Sequence, residues 1–173
     1  MIPPEDANLF TLQTQDGRRL FATKKPGARL VGLDVGQKTL GTAVSDARWC
    51  LATPFKTLRR EKFGLLMQEL RHLLKEYEVS AFVVGLPLNM DGSQGPRAQA
   101  SLAFGQNLEE TLHLPVLYWD ERLTTQAATW SLHEAGIASK KHKKSIDSMA
   151  ASLILQGILD SINTQEAESW SQT

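Results

Sequence analysis

Apolar and polar positions along this chain switch between two periods, and the switches mark its elements. Arg29 to Val35 reads RLVGLDV, apolar but for one aspartate and an arginine start, and Thr39 to Ser45 continues in kind after a tight Gly36-Gln37-Lys38 turn. Both read as short strands. A third strand is expected near Leu51 to Thr57, where Pro54 removes a ladder donor and places it at a sheet edge. Over residues 61–77, Phe63, Leu66, Met67, Leu70, Leu73, Leu74 and Tyr77 recur at the spacing of a helix that buries one face. Ala81 to Leu86 is continuously apolar, as a strand covered on both faces should be. A polar loop, Pro87 to Pro96, leads into a helix through Ala98, Leu102, Gly105, Leu108 and Leu112. Val116 to Trp119 is the last strand, and two further helices are expected at about 124–135 and 145–162.

Three strands followed by helix–strand–helix–strand–helix predict an α/β fold, a mixed five-stranded sheet with helices on both faces. The first three strands pair as a meander, and the later two add in parallel through right-handed crossovers. Residues 29–162 form the expected domain. Residues 1–28 are an N-terminal extension without an assigned role, in which Asp16-Gly17 would suit a hairpin turn, and the polar tail 163–173 is expected to fray.

Composition narrows the class. The chain has 173 residues, 42% of them hydrophobic and 22% charged, enough for one domain with a core that needs no disulfide. Nineteen basic residues balance nineteen acidic ones, so attraction to a polyanion must be local. Cys50 is the single cysteine, and the histidines (His72, His113, His133, His142) fit no zinc spacing. No apolar run is long enough to span a membrane, and Met1 to Asp6 lacks the opening of a signal peptide, so a soluble cytoplasmic protein with no membrane partner is expected.

Three carboxylates occupy positions that invite chemistry. Asp34 lies inside an apolar strand, where a charge needs a partner, hydrogen bonds or a metal. Glu121 follows the last strand at the carboxyl edge, where α/β folds collect ligands, and Asp147 opens a strongly apolar helix. Taken singly, Asp147 could simply offset a helix dipole and Asp120-Glu121-Arg122 could be a surface ion-pair cluster. Together the three suit a hard cation, Mg²⁺ or Mn²⁺, with positions left for water and phosphate. The run Lys140-Lys141-His142-Lys143-Lys144 abuts Asp147 and would hold a phosphate backbone, and the Gly-rich loop from Pro87 to Gly95 offers amides and Asn89 to phosphate.

Four blocks carry a family resemblance: GLDVGQKTLGTAVSD (32–46), VVGLPLNMDGSQGPRA (83–98), DERLTTQAA (120–128) and IDSMAASLILQGIL (146–159). In this order they resemble the YqgF/RuvX family, RNase H-like proteins assigned either as nucleases of pre-16S rRNA or as Holliday junction resolvases. The resemblance implies a catalytic and metal-binding trio of Asp34, Glu121 and Asp147. It also implies substrate contacts from Lys38, Asn89, Arg122 and Thr124, beside the lysines Lys140, Lys141, Lys143 and Lys144. The expected partner is structured RNA or branched DNA, and a homodimer would accompany junction cleavage. The chain departs from many relatives at Thr39, where they carry a basic residue. One separation matters for geometry. The strand from Ala81 ends Gly85-Leu86-Pro87 without an acid, so Glu121 starts two strands from Asp34, about 9–10 Å away. Asp91 is the fallback ligand. A phosphate-binding hairpin of the actin and sugar-kinase type also begins Asp-Val-Gly, but it needs a second lobe that 173 residues do not supply.

Overall fold

The computed structural model describes residues 24–123 and 143–171. Five strands, β1 (Arg29–Val35), β2 (Thr39–Ser45), β3 (Ala52–Arg59), β4 (Val79–Leu86) and β5 (Val116–Asp120), form one sheet in the order β3-β2-β1-β4-β5. β1, β2 and β3 are antiparallel neighbours, while β4 and β5 run parallel to β1. This is the mixed sheet that the pattern predicts. β3 lies at the edge although Pro54 sits within it, opposite Ala43, because an edge strand can lose one donor to solvent.

The helices are α1 (Phe63–Leu73), α2 (Pro96–Leu112) and α3 (Lys143–Ser171). Alternation along the strands sorts the core into two layers. Val31, Leu33, Phe82 and Val84 pack against Leu66, Met67 and Leu70 of α1 and Phe104 and Leu108 of α2. Leu30, Ala81, Val83, Leu117 and Trp119 face the other way, onto Ala151, Ile154, Leu155, Ile158 and Ile162 of α3. The expected helix at about 124–135 and the N-terminal hairpin fall outside the described residues. α3 starts near the expected position but continues through the polar segment to Ser171.

Close packing of α3 depends on missing side chains. A Cβ on Gly32 of β1 would come within 2.7 Å of the Ala151 carbonyl oxygen and of Leu155, and one on Gly41 of β2 would collide with the backbone of Asp147. Glycine at these two sites lets the helix backbone lie directly on the sheet. Among the described residues no helix is long and apolar enough to cross a membrane.

Candidate active site

The strand directions put one end of each element at the same edge. β1, β4 and β5 finish there, β2 begins there, and β3, antiparallel to β2, also finishes there. On the face covered by α3 this edge collects the acids. Asp34 is half-buried on β1, with its backbone in register with Gly41. Since α3 lies flush on Gly41, Asp147 enters beside it, and Thr39 Oγ1 donates a 2.7 Å hydrogen bond to Asp147 Oδ2.

Glu121 resolves the two-strand separation by reaching back over β4. It opens a short 3-10 turn (Glu121–Leu123) after β5, and its Oε1 lies over Gly85, 2.5 Å from where a Cβ would stand. Gly85 follows Val84, the register partner of Leu33, so this position is next to Asp34. The missing acid on β4 is thus replaced by a missing side chain that admits one from β5.

The electrostatics follow from this crowding. Burial, reinforced by Asp147 and opposed by Arg97, pushes the Asp34 carboxyl up to about 6. Burial, then Asp34 and Asp120, push Glu121 up to about 7, again against Arg97. Asp34 is therefore the middle member, coupled to Asp147 on one side and Glu121 on the other. Arg97 is the cation felt by both raised acids. It occupies the first turn of α2, where a positive charge opposes the helix dipole, and that misfit is the signal by which sequence reasoning could have singled it out.

Other expected contacts have different surroundings. The Arg122 guanidinium grips Asp120 through Nε (2.9 Å to Oδ2) and a second nitrogen (2.7 Å), while its third donates to the Met90 carbonyl at 3.3 Å. Arg122 thus ties the β4–α2 loop to the end of β5. Asn89 closes that loop on itself, donating to Ser93 Oγ at 2.9 Å. Asp91 accepts from the Ser93 hydroxyl and amide, which hold its carboxyl below the usual range, so its described partners lie within its own loop. Lys38 is exposed in the β1–β2 turn. Lys143 and Lys144 belong to the first turn of α3, and Thr124, Lys140 and Lys141 fall outside the described residues.

The donor set is all oxygen, which fits a hard divalent cation. Among the described residues no three histidine, cysteine, aspartate or glutamate side chains are gathered closely enough to hold a metal ion as they stand. The carboxylates approach instead as two pairs sharing Asp34, and their mutual repulsion is a charge that a cation would relieve.

Residues 28–161 match the model of the RuvX family, described as Holliday junction resolvase. The chain belongs to the RuvX family. Among curated relatives, a protein of Rhodobacter capsulatus named "Putative pre-16S rRNA nuclease" is 50% identical over 131 residues, 76% of this chain and 82% of that one. One of the same name from Zymomonas mobilis is 46% identical over 151 residues, covering 87% and 92%. Among solved structures, the yeast mitochondrial Holliday junction resolvase aligns with a TM-score of 0.51 at 14% identity, covering 93% of this chain and 91% of that one. At that identity the likeness is one of fold, and it extends the RNase H-like architecture of resolvases to this RuvX member.

Proposed function

We propose that this protein is a metal-dependent nuclease that hydrolyses phosphodiester bonds and processes the 5′ end of pre-16S rRNA in the cytoplasm, with residues 29–162 as its catalytic unit. The observation that carries the reading is the meeting of Asp34, Glu121 and Asp147 at one sheet edge, from β1, the end of β5 and the start of α3. Such half-buried carboxylates destabilise a protein unless a cation is part of its working state.

The three acids would hold Mg²⁺ or Mn²⁺, Mg²⁺ being commonly bound through one or two carboxylates with its remaining positions left to water and phosphate. When bound, the ion supplies charge neutralisation at the scissile phosphate and makes water easier to deprotonate. The chain's own residues set the geometry. Thr39 fixes one oxygen of Asp147. Glu121 Oε1 hangs over Gly85, which brings its carboxylate from the end of β5 to the position next to Asp34. Arg97 offers positive charge to a phosphate that approaches the acids.

The names of the relatives support RNA as the substrate. A four-way DNA junction is the second reading, supported by the description of the family, and it would call for a homodimer to make paired cuts. A cleavage assay in Mg²⁺ and in Mn²⁺ separates the two, with a labelled precursor leader and a four-way junction given to wild type and to Asp34→Asn. Trimming of the leader that disappears in the variant is expected. Symmetric junction cuts alone would favour the second reading, and activity unaffected by Asp34→Asn would remove the site.

A further inference from the structure

Arg59 ends β3 at the acid-bearing edge and Arg60 follows it, and their surroundings differ. Arg60 is engaged on the α1/α2 side. Its guanidinium donates to the Gly36 carbonyl at 2.6 Å and lies 5.5 Å from the Phe104 ring, while its amide bonds the Lys38 carbonyl at 2.9 Å. Arg60 fastens the β1–β2 turn. Arg59, one residue earlier, belongs to the opposite face. Register sets it directly across from Thr39, while the next pair, Leu40 and Leu58, is buried in the α1/α2 layer. Opposed residues of an antiparallel pair share a face, so Arg59 stands beside the Thr39 hydroxyl that holds Asp147.

Arg59 is exposed, and it takes part in none of the ion pairs or side-chain hydrogen bonds among the described residues. An exposed guanidinium with no described partner, on the sheet face that carries the acids, is open to an anion from solution. Arg59 is one strand spacing, about 4.8 Å, from Thr39; from Asp34, whose own row runs through Gly41 to Thr57, it is two strands across and two residues along, about 12 Å. A nucleic-acid backbone that brings one phosphate to the acids would bring a neighbour within its reach.

We infer that Arg59 is a phosphate anchor, binding a backbone phosphate next to the scissile one so that the substrate strand crosses the sheet edge from β3 toward β5. This rests on the nuclease reading for the word scissile but not for the binding. Guanidinium suits the task because it presents two parallel donors to a phosphate. The plain alternative is that Arg59 only guards an exposed edge strand from pairing, as charged edge residues do. Lys56, exposed on the same strand, supplies the control for that role and for net charge.

The test is fluorescence anisotropy of a short single-stranded RNA, and of DNA of the same sequence, titrated across salt in metal-free buffer so that nothing is cut. One lost phosphate contact should make the plot of log affinity against log salt shallower by about 0.7, which is about fivefold weaker binding at ~0.1 M salt. We expect this for Arg59→Gln with both nucleic acids, retention of the slope in Arg59→Lys, and no change in Lys56→Gln. Wild-type behaviour of Arg59→Gln, an equal effect of Lys56→Gln, or no measurable binding by wild type would each overturn the inference. In the cleavage assay Arg59→Gln should raise KM and spare kcat. A wild type that binds with the expected slopes but cuts nothing would instead defeat the nuclease reading alone.

Discussion

At the scale of single residues, the site depends on two glycines and a threonine as much as on its acids. Gly85 and Gly41 both make room, but for different neighbours, and their substitutions should separate. An alanine Cβ at Gly85 meets the far ends of Glu121 and Ile154, which can swing aside, so Gly85→Ala should cost only about 1 kcal/mol of stability. It should nevertheless lower kcat at least about tenfold, because the displaced carboxylate is catalytic in our reading. At Gly41 the obstacle is the backbone of Asp147, which cannot move without the helix. Gly41→Ala should therefore lose both activity and about 3 kcal/mol or more, and urea unfolding beside steady-state cleavage distinguishes the two patterns. Thr39 is a positioning residue. Thr39→Val keeps its shape but withdraws the hydrogen bond from Asp147, which should reduce kcat about tenfold and weaken the response to Mg²⁺. Thr39→Ser should restore both to within about threefold.

At the scale of elements, the sequence was most legible where a single period dominates. RLVGLDV and the continuous run from Ala81 state their burial outright, and Pro54 states which strand is at the edge. The extent of α3 was not legible, because the segment from Asn163 to Ser171 is polar and carries no apolar stripe to read. Partnerships were harder still. Thr39 and Asp147 are 108 residues apart, and the bridging of β4 by Glu121 depends on an absent side chain in another element. Arg122 illustrates the same limit. Its place in the DER block suggests substrate, yet in the fold its donors hold Asp120 and the Met90 carbonyl. Its removal should thus be felt first in the β4–α2 loop. Arg122→Gln is expected to speed limited proteolysis near the exposed Met90 several-fold while leaving the midpoint of global urea unfolding nearly unchanged. Unchanged proteolysis alongside weakened substrate binding would return Arg122 to the contact role.

At the scale of the whole molecule, the acids make stability depend on pH and on the cation together. The folded carboxyl of Asp34 is pushed from 3.8 to about 6 and that of Glu121 from 4.5 to about 7. Both groups bind a proton more tightly folded than unfolded. The stabilisation from holding it is complete below about pH 4 and is lost as pH rises through about 6 and then 7. Without metal, the wild type should consequently weaken between pH 5 and 8 by about 1–3 kcal/mol relative to Asp34→Asn, which cannot acquire that charge. The comparison with the variant cancels the four histidines, which titrate in the same window in both proteins. A divalent cation should reverse the order. It competes with the same protons, so its binding should tighten as pH rises and release protons as it occurs. At pH 8, Mg²⁺ should raise the Tm of wild type by an amount that grows with its concentration and leave Asp34→Asn nearly unmoved. Thermal unfolding in EDTA and in graded Mg²⁺ at pH 5 and pH 8 reads all four conditions. Parallel pH curves for the two proteins would mean that the repulsion around Asp34 is already relieved within the chain. In that case the edge where β1, β5 and α3 meet would have no call for a cation, and the case for a metal-dependent nuclease would fall with it.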